Sequence, residues 1–372
     1  MTWQSCRLGD VLTLKRGHDL PDHSRQEGDI PVVSSSGITG RHNEAKAKAP
    51  GVVTGRYGTI GEVFFLEEDY WPLNTALYVI DFKGNDPHFS AYFLRNVLNG
   101  YQSEKAAVPG VDRNVLHEIG VRAPNVATQS RIRNVLAAYD DLIENNRRRM
   151  ALLEESARLL YREWFVRLRF PGHEHMRMVD GVPYGWARRS LKDICSEFRE
   201  TVSPESMEPD TPYIGLEHIP RRSISLGEWG SAEQVTSSKH RFRARDILFG
   251  KIRPYFHKVG VAFIDGVASS DAIVIRPVDE LFRGFVLMTV SSDEFVADTA
   301  QSMKEGSKMP RADWKQMQAY PVPLPPAGLL GSFEDAIRAI AEQLKTLTFV
   351  NQKLRAARDL LLPRLMKGEI AV

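Results

Sequence analysis

The chain has 372 residues, 42% hydrophobic and 26% charged, which is ordinary globular usage and enough for two or three domains with proper cores. Its formal net charge of +2 is far from that of a nonspecific nucleic-acid coat, and by segment it is −2 over 1–125, +2 over 126–182, zero over 183–325 and +2 over 326–372. There is no apolar run of about eighteen residues, the start MTWQSCRLGDVL lacks a signal-peptide layout, and Cys6 and Cys195 lie far apart, so a membrane span, a disulfide scaffold and a structural zinc site are not expected and a soluble cytoplasmic protein is.

In chain order, alternating or β-branched apolar runs bounded by Gly and Pro predict short strands at IPVVS (30–34), GVVTG (51–55), EVFFL (62–66) and ALYVI (76–80). A helix follows at PHFSAYFLRNVLNG (87–100). From Ile132 a spacing of three then four runs through Leu136, Tyr139, Ile143, Asn146, Met150, Leu153, Ala157, Leu160 and Trp164. Strands resume at DILFG (246–250), VGVAFI (259–264) and AIVIR (272–276), with a helix at ELFRGFVLMTVSS (280–292). A second run takes in Phe333, Ile337, Ile340, Leu344, Leu347, Asn351, Leu354, Arg358, Leu361 and Leu365. Alternating steps of three and four over about five heptads are the pattern of a coiled coil rather than of a globular core stripe. Prolines bracket both runs, with Pro124 and Pro171 around the first, and PLPP (323–326) and Pro363 around the second.

These elements form an internal repeat. With a constant offset of 201, VPGVDRNVLHEIGVRAP (108–124) falls on MPRADWKQMQAYPVPLP (309–325) and ARLL (157–160) on RDLL (358–361), without a gap over roughly fifty positions. Earlier parts repeat with drifting offsets: Trp3 and LGDV (8–11) with Trp186 and LKDI (191–194), and GRYGTIGEVFF (55–65) with GKIRPYFHKVGVAF (250–263). The front of each half tolerates insertions, while the back is held to length.

Each long run of about 40 residues would be about 60 Å of helix. The first ends where the second globular segment begins and the second starts where it ends, so the two can pair only antiparallel. The expected architecture is α+β: two domains in tandem repeat with an approximate two-fold relation, separated by an antiparallel coiled coil. The expected bounds are 1–125 and 183–326 for the domains, 126–169 and 327–368 for the helices, and 170–182 for the linker. Asn146 and Asn351 each take a seam position, where a polar side chain lowers stability but disfavours wrong registers. Arg147, Arg148 and Arg149 flank the seam as a solvated face or as a mid-rod contact for an acidic partner or DNA.

The starts W…LGDV and W…LKDI, the turns GRYGTIGEVFF and ILFGKIRPYFHKVG, and the linkers VPGVDRNVL and MPRADWKQM leading into VRAP and VPLPP form a combination. With the helix LIENNRRRMALLEESARLLYREWF and the ending LRAARDLLLPRLMKGEI, the chain resembles the specificity subunit of type I restriction-modification systems over essentially its whole length. The resemblance implies a DNA-sequence reader without catalytic residues. Two target-recognition domains would each read one half of a split, asymmetric site in double-stranded DNA, with the coiled coil setting the gap. Partners would be two DNA methyltransferase subunits, which bind S-adenosylmethionine, and restriction subunits that use ATP and Mg, with no cofactor in this chain and no membrane.

Base edges are read by Arg, Lys, Asn and Gln, and phosphates by basic and hydroxyl side chains. In the first domain the candidate cluster is Arg56 and Tyr57, with Ser34, Ser35, Ser36, Arg41 and Asn74. In the second it is Lys239, His240, Arg241, Arg243, Lys251, Arg253, Tyr255, His257 and Lys258, to which KEGSKMPR (304–311) adds Lys304, Ser307 and Lys308. The bland reading is a set of exposed basic residues on hairpins.

Enzymatic readings fail on motif grounds. No GxxxxGK[ST] occurs, and the Pro-Pro of LPPA (324–327) lacks the flanking residues of a DNA aminomethyltransferase motif. A nuclease-like set can be spelled from Pro21, Asp22, Glu44 and Lys46, but RHNEAKAKAP is no rigid core strand. The competing class is a non-catalytic scaffold whose domains bind protein rather than DNA.

Overall fold

The computed structural model describes residues 3–57, 61–99, 111–179, 181–301 and 310–372. The chain divides into two compact units, Met1–Ile143 with Lys353–Val372, and Glu144–Gln352. The first long helix, Val126–Tyr161, and the second, Ala327–Met366, each contribute one part to either unit.

In the first unit a four-stranded antiparallel sheet has the order Thr13–Arg16, Ala76–Asp81, Gly51–Gly55, Val63–Leu66. A three-stranded sheet follows the order Gly37–His42, Ile30–Ser34, Trp71–Pro72. Helix Pro87–Leu98 starts where Asp86 accepts from Phe89 N, with Pro87 in the first turn, an arrangement that satisfies an otherwise orphaned amide. Its Phe89, Phe93 and Leu94 join Leu14, Val52 and Leu77 in one core. Ile132 and Leu136 of the first long helix and Leu362, Leu365 and Met366 of the second complete that core.

The second unit holds two five-stranded sheets. One has the order Cys195–Glu197, Ala272–Pro277, Ile247–Gly250, Val259–Ala262, Ser225–Leu226, and the other Thr201–Val202, Lys239–Phe242, Gly266–Ala268, Pro212–Ile214, Gly230–Ser231. Helices Arg283–Val290 and Asp293–Gln301 cover the first sheet's core, in which Ile247, Phe249, Ile273 and Phe285 pack with Ala157, Tyr161, Phe333, Ile337 and Leu344 of the long helices.

The repeat predicted from sequence is present in hydrogen-bonding detail. Trp3–Arg7 pairs with Gly120–Pro124, and Ala187–Ser190 with Pro321–Leu324. Leu8 N donates to Ile119 O and Leu191 N to Tyr320 O, both at 2.9 Å. Asp10 and Asp193 accept from the backbone of Arg7 and Ser190, while Asp112 and Asp313 cap the one-turn helices that follow.

Within each unit the long helices pair antiparallel. In the second, Asn146 Nδ2 donates to Asn351 Oδ1 at 2.9 Å, with both side chains buried, while Tyr161 lies at the level of Phe333. In the first, Arg358 forms an ion pair with Asp140, whose other oxygen accepts from Tyr92 Oη at 2.6 Å. Of the predicted seam, Ile132, Leu136, Ile143, Phe333, Ile337, Leu344 and Leu347 are buried; Tyr139, Met150, Leu153, Ile340 and Leu354 are half-buried.

Two expectations are corrected. At the far ends the buried stripe passes to the next residue, Tyr161 and Phe165 in place of Leu160 and Trp164, and Leu362 beside Leu361. A helix drifts by about 20° per heptad against a strict seven-residue repeat, and here the drift turns the helix towards its domain core. The helices are therefore not a seam alone: Phe165 packs edge to face on Phe285 and Phe333, at 4.8 and 4.7 Å. Pro363 lies inside the second helix, which runs to Met366, close to the expected bound at 368. The first helix closes in a π-helical turn, Arg162–Val166. No helix of the described residues is long and apolar enough to cross a membrane.

Candidate nucleic-acid interface

The candidate residues concentrate on one turn that occurs in both units. In the first, strand Gly51–Gly55 runs into Arg56, whose N donates to Thr75 O at 3.0 Å and whose carbonyl accepts from Val111 N at 2.9 Å. In the second, strand Ile247–Gly250 runs into Lys251, whose N donates to Asp271 O at 2.7 Å and whose carbonyl accepts from Ala312 N at 2.9 Å. Val111 and Ala312 are 201 positions apart, so Arg56 and Lys251 are counterparts, pinned on both sides of the peptide.

Around Arg56, the guanidinium covers the Tyr57 ring at 4.6 Å, and Tyr57 is 43% exposed. Asn74 precedes Thr75, donates to Asp19 Oδ1, and accepts through its carbonyl from Arg16 Nε. Arg16, Asn74 and Arg56 thus converge on one turn. Ser35 is half-buried and Ser36 exposed on the Ser34–Gly37 turn, where Ser34 Oγ is buried against Ser36 Oγ. Arg41 belongs to the other sheet and is held by the carbonyl of Asp29.

Around Lys251, Nζ donates to Ser270 O at 3.0 Å, and Arg199, Arg311, Glu197 and Asp271 stand near it. Burial lowers the lysine pKa, Glu197 and Asp271 pull it back, and Arg199 and Arg311 push it further down. His240 is lowered by burial, with Lys251 and Arg199 adding repulsion. Arg199 pairs with Glu197 at 2.7 Å and Arg311 with Asp271 at 3.4 Å. Asp271 lies in a turn, its N bonded to Ser269 Oγ.

Beyond Lys251 the chain makes a tight loop through Arg253, Pro254, Tyr255, Phe256 and His257. Tyr255 projects at 54% exposure, and the guanidinium groups of Arg221 and Arg253 lie over Phe256 at 4.0 and 5.8 Å.

Several candidates are occupied otherwise. Lys239 is buried, its Nζ donating to Ser237 Oγ and O, and His257 is buried with Nε2 at 2.8 Å from Ser291 O, so both serve as framework. Arg241 pairs with Glu200 at 2.7 Å, and Arg241 and Arg243 line a cleft of about 690 Å³ that also holds Glu200, Glu208, Asp210 and Asp265, a setting unsuited to phosphate. Lys258 Nζ is spent on Leu216 O. Lys304, Ser307 and Lys308 lie outside the described residues. Arg147 and Arg148 are exposed and pair with Glu144, as a solvated face does. Sequence reasoning missed Arg16, Arg199, Arg221 and Arg311, which the sheets bring in from other segments; the adjacent pair Arg221–Arg222 after Pro220 was the one local cue.

The nuclease-like spelling has no structural counterpart. Asp22 pairs with Arg25, and Glu44 is held below the usual carboxylate range by the hydrogen bond and charge of Lys46. Among the described residues no His, Cys, Asp and Glu side chains gather in a group that could hold a metal ion.

A family model described as the type I restriction modification DNA specificity domain matches residues 1–155. The EcoDI type I restriction enzyme specificity subunit of Escherichia coli is 21% identical over 353 residues, covering 87% of this chain and 78% of that protein. The MjaIX specificity subunit of Methanocaldococcus jannaschii is 21% identical over 301 residues, covering 75% of this chain and 66% of that protein. The crystal structure of the type I restriction-modification S subunit from M. genitalium shares the fold, with a TM-score of 0.60 at 15% identity over 98% of this chain and 96% of that one. Residues 1–155 thus match the type I restriction-modification DNA specificity domain, and the chain as a whole is similar in sequence and fold to specificity subunits of that system.

Proposed function

We propose that the chain reads DNA sequence for a type I restriction-modification complex, each domain contacting one half of a bipartite, asymmetric duplex site. The observation that carries this is the pair of counterpart turns: Arg56 and Lys251 sit at the same place in each repeat, pinned by the same two backbone hydrogen bonds. A duplicated, rigidly held basic position suits recognition of two half-sites by related means. In this reading the long helices set the spacer between half-sites. They also dock methyltransferase subunits, and Leu152 at 69%, Leu159 at 44% and Val166 at 49% exposure, spaced by seven residues, favour such a protein contact.

The chain itself contributes recognition and no catalytic residue. Methyl transfer from S-adenosylmethionine and ATP- and Mg-dependent restriction belong to partner subunits, in the cytoplasm. Methylome sequencing of a host with and without the gene tests the reading. A bipartite motif whose methylation depends on the gene is expected; an unchanged methylome, with no salt-dependent DNA affinity of the assembled complex, would leave the protein-binding scaffold instead.

A further inference from the structure

The loop after Lys251 is held far more stiffly than a solvent-exposed hairpin requires. Arg253 and His257, at its two ends, both adopt left-handed backbone conformations, with φ 49° and 54°, which side chains other than Gly, Asn or Asp rarely take. Five ties keep them there. Arg253 N donates to Pro310 O, Arg222 N to His257 O and Gly250 N to Lys258 O; Ile252 bridges Arg311, and buried His257 is anchored to Ser291 O. What this scaffold displays is Tyr255, packed edge to face on Phe256 at 5.0 Å and otherwise turned to solvent. Beside it, Arg221 and Arg253 stack on Phe256, and neither has a carboxylate partner among the described residues.

A rigid aromatic ring flanked by two uncompensated guanidinium groups matches the chemistry of a strained base step: a π-face to stack on, bordered by two phosphates. Tyrosine loses little side-chain entropy when fixed, and a loop already locked at both ends need not reorganise on contact. The preceding Lys251 lies on the same turn, its Nζ held by Ser270 O.

We propose that Tyr255 is a wedge residue, inserted against the stack of one base step in the half-site read by the second domain, with Arg221 and Arg253 clamping the flanking phosphates. The assignment rests on the DNA-reading role proposed above and adds to it a mode of readout, in which deformability of one step is sensed by stacking rather than by hydrogen bonds to base edges.

The test uses the full chain assembled with the methyltransferase subunits of its own system, on duplexes carrying its methylation motif. 2-Aminopurine is placed in turn at each position of the second half-site. The expected result is a fluorescence increase at one step in the wild-type complex. Tyr255→Ala should abolish that increase and weaken specific binding roughly 5- to 150-fold, the range expected for loss of one stacked base, while Tyr255→Phe retains both. The first half-site should remain read as before. Flat fluorescence across the half-site in a complex that binds its motif specifically would overturn the wedge while leaving the DNA-reading role standing. Loss of subunit assembly rather than of DNA affinity in Tyr255→Ala would overturn it in favour of a protein contact. Failure of the wild-type complex to bind DNA at all would remove both.

Discussion

Asn146 donates its side-chain amide to Asn351 across the paired long helices, at 2.9 Å and with both residues nearly sealed from solvent. A buried amide pair lowers stability relative to a hydrocarbon layer but makes wrong registers worse, because sliding either helix leaves two amides facing apolar side chains.

Asn146→Leu alone takes away this partner of Asn351 and is expected to lower stability by about 1–3 kcal/mol. Adding Asn351→Leu replaces the layer by hydrocarbon and should recover at least that loss. Urea midpoints of the full chain check both; a double variant no more stable than the single one would show that the amide pair is not what sets this layer.

A second expectation concerns the counterpart turns. Arg56→Ala should relax readout of one half-site and Lys251→Ala of the other, each by about 1–3 kcal/mol if the contact is to a base. Motif logos from methylome sequencing read this directly. Two variants that degrade the same half would contradict the pairing of domains with half-sites.

Matched insertions of four residues, about one turn, in both long helices should lengthen the spacer and leave the half-sites intact. Altered half-sites over a constant spacer would refute the ruler role.

His257 supplies a pH dependence. Burial lowers its pKa below 6.5, with Arg222 and Arg158 adding to that and Ser291 O and Asp293 opposing it. The unfolded chain therefore takes up the proton first, so the contribution to stability is fully present above pH 6.5 and declines as pH falls below it. His257→Gln keeps a donor for Ser291 O but does not titrate. Between about pH 7.5 and about pH 5.5, spanning the ordinary histidine range, the wild type should lose more of its unfolding midpoint than His257→Gln does.

Much of this molecule was legible because it is written twice. A constant offset located Asp112 and Asp313, the matching segments beside them and the long helices, since length is constrained wherever helices must stay in register, though not that those segments pair as strands. Side-chain fate at the interface was less legible. Sequence marks Lys239 and His257 as basic, but only strand pleat and loop ties decide that both point inward. Arg241 reads as free until the fold brings Glu200 to it. Arg221 was invisible as a neighbour of Phe256, because the two are joined by tertiary packing alone. At Leu160 the spacing gave the stripe but not its drift: Leu160 is half-buried, and the fully buried position passes to Tyr161, which meets both Phe333 of the partner helix and Phe285 of the domain core.

The repeat offset of 201 equates Asn146 with Leu347, and Asn351 with Met150, so each copy of the helix carries its polar residue at a different level. If two molecules exchanged partners, first helix against first helix in the same register, Asn146 would meet Met150 twice; second against second, Asn351 would meet Leu347 twice. Duplication would otherwise leave the two copies able to recognise themselves as readily as each other. One displaced amide pair makes the halves unlike, and steers each helix to its sister within the same molecule.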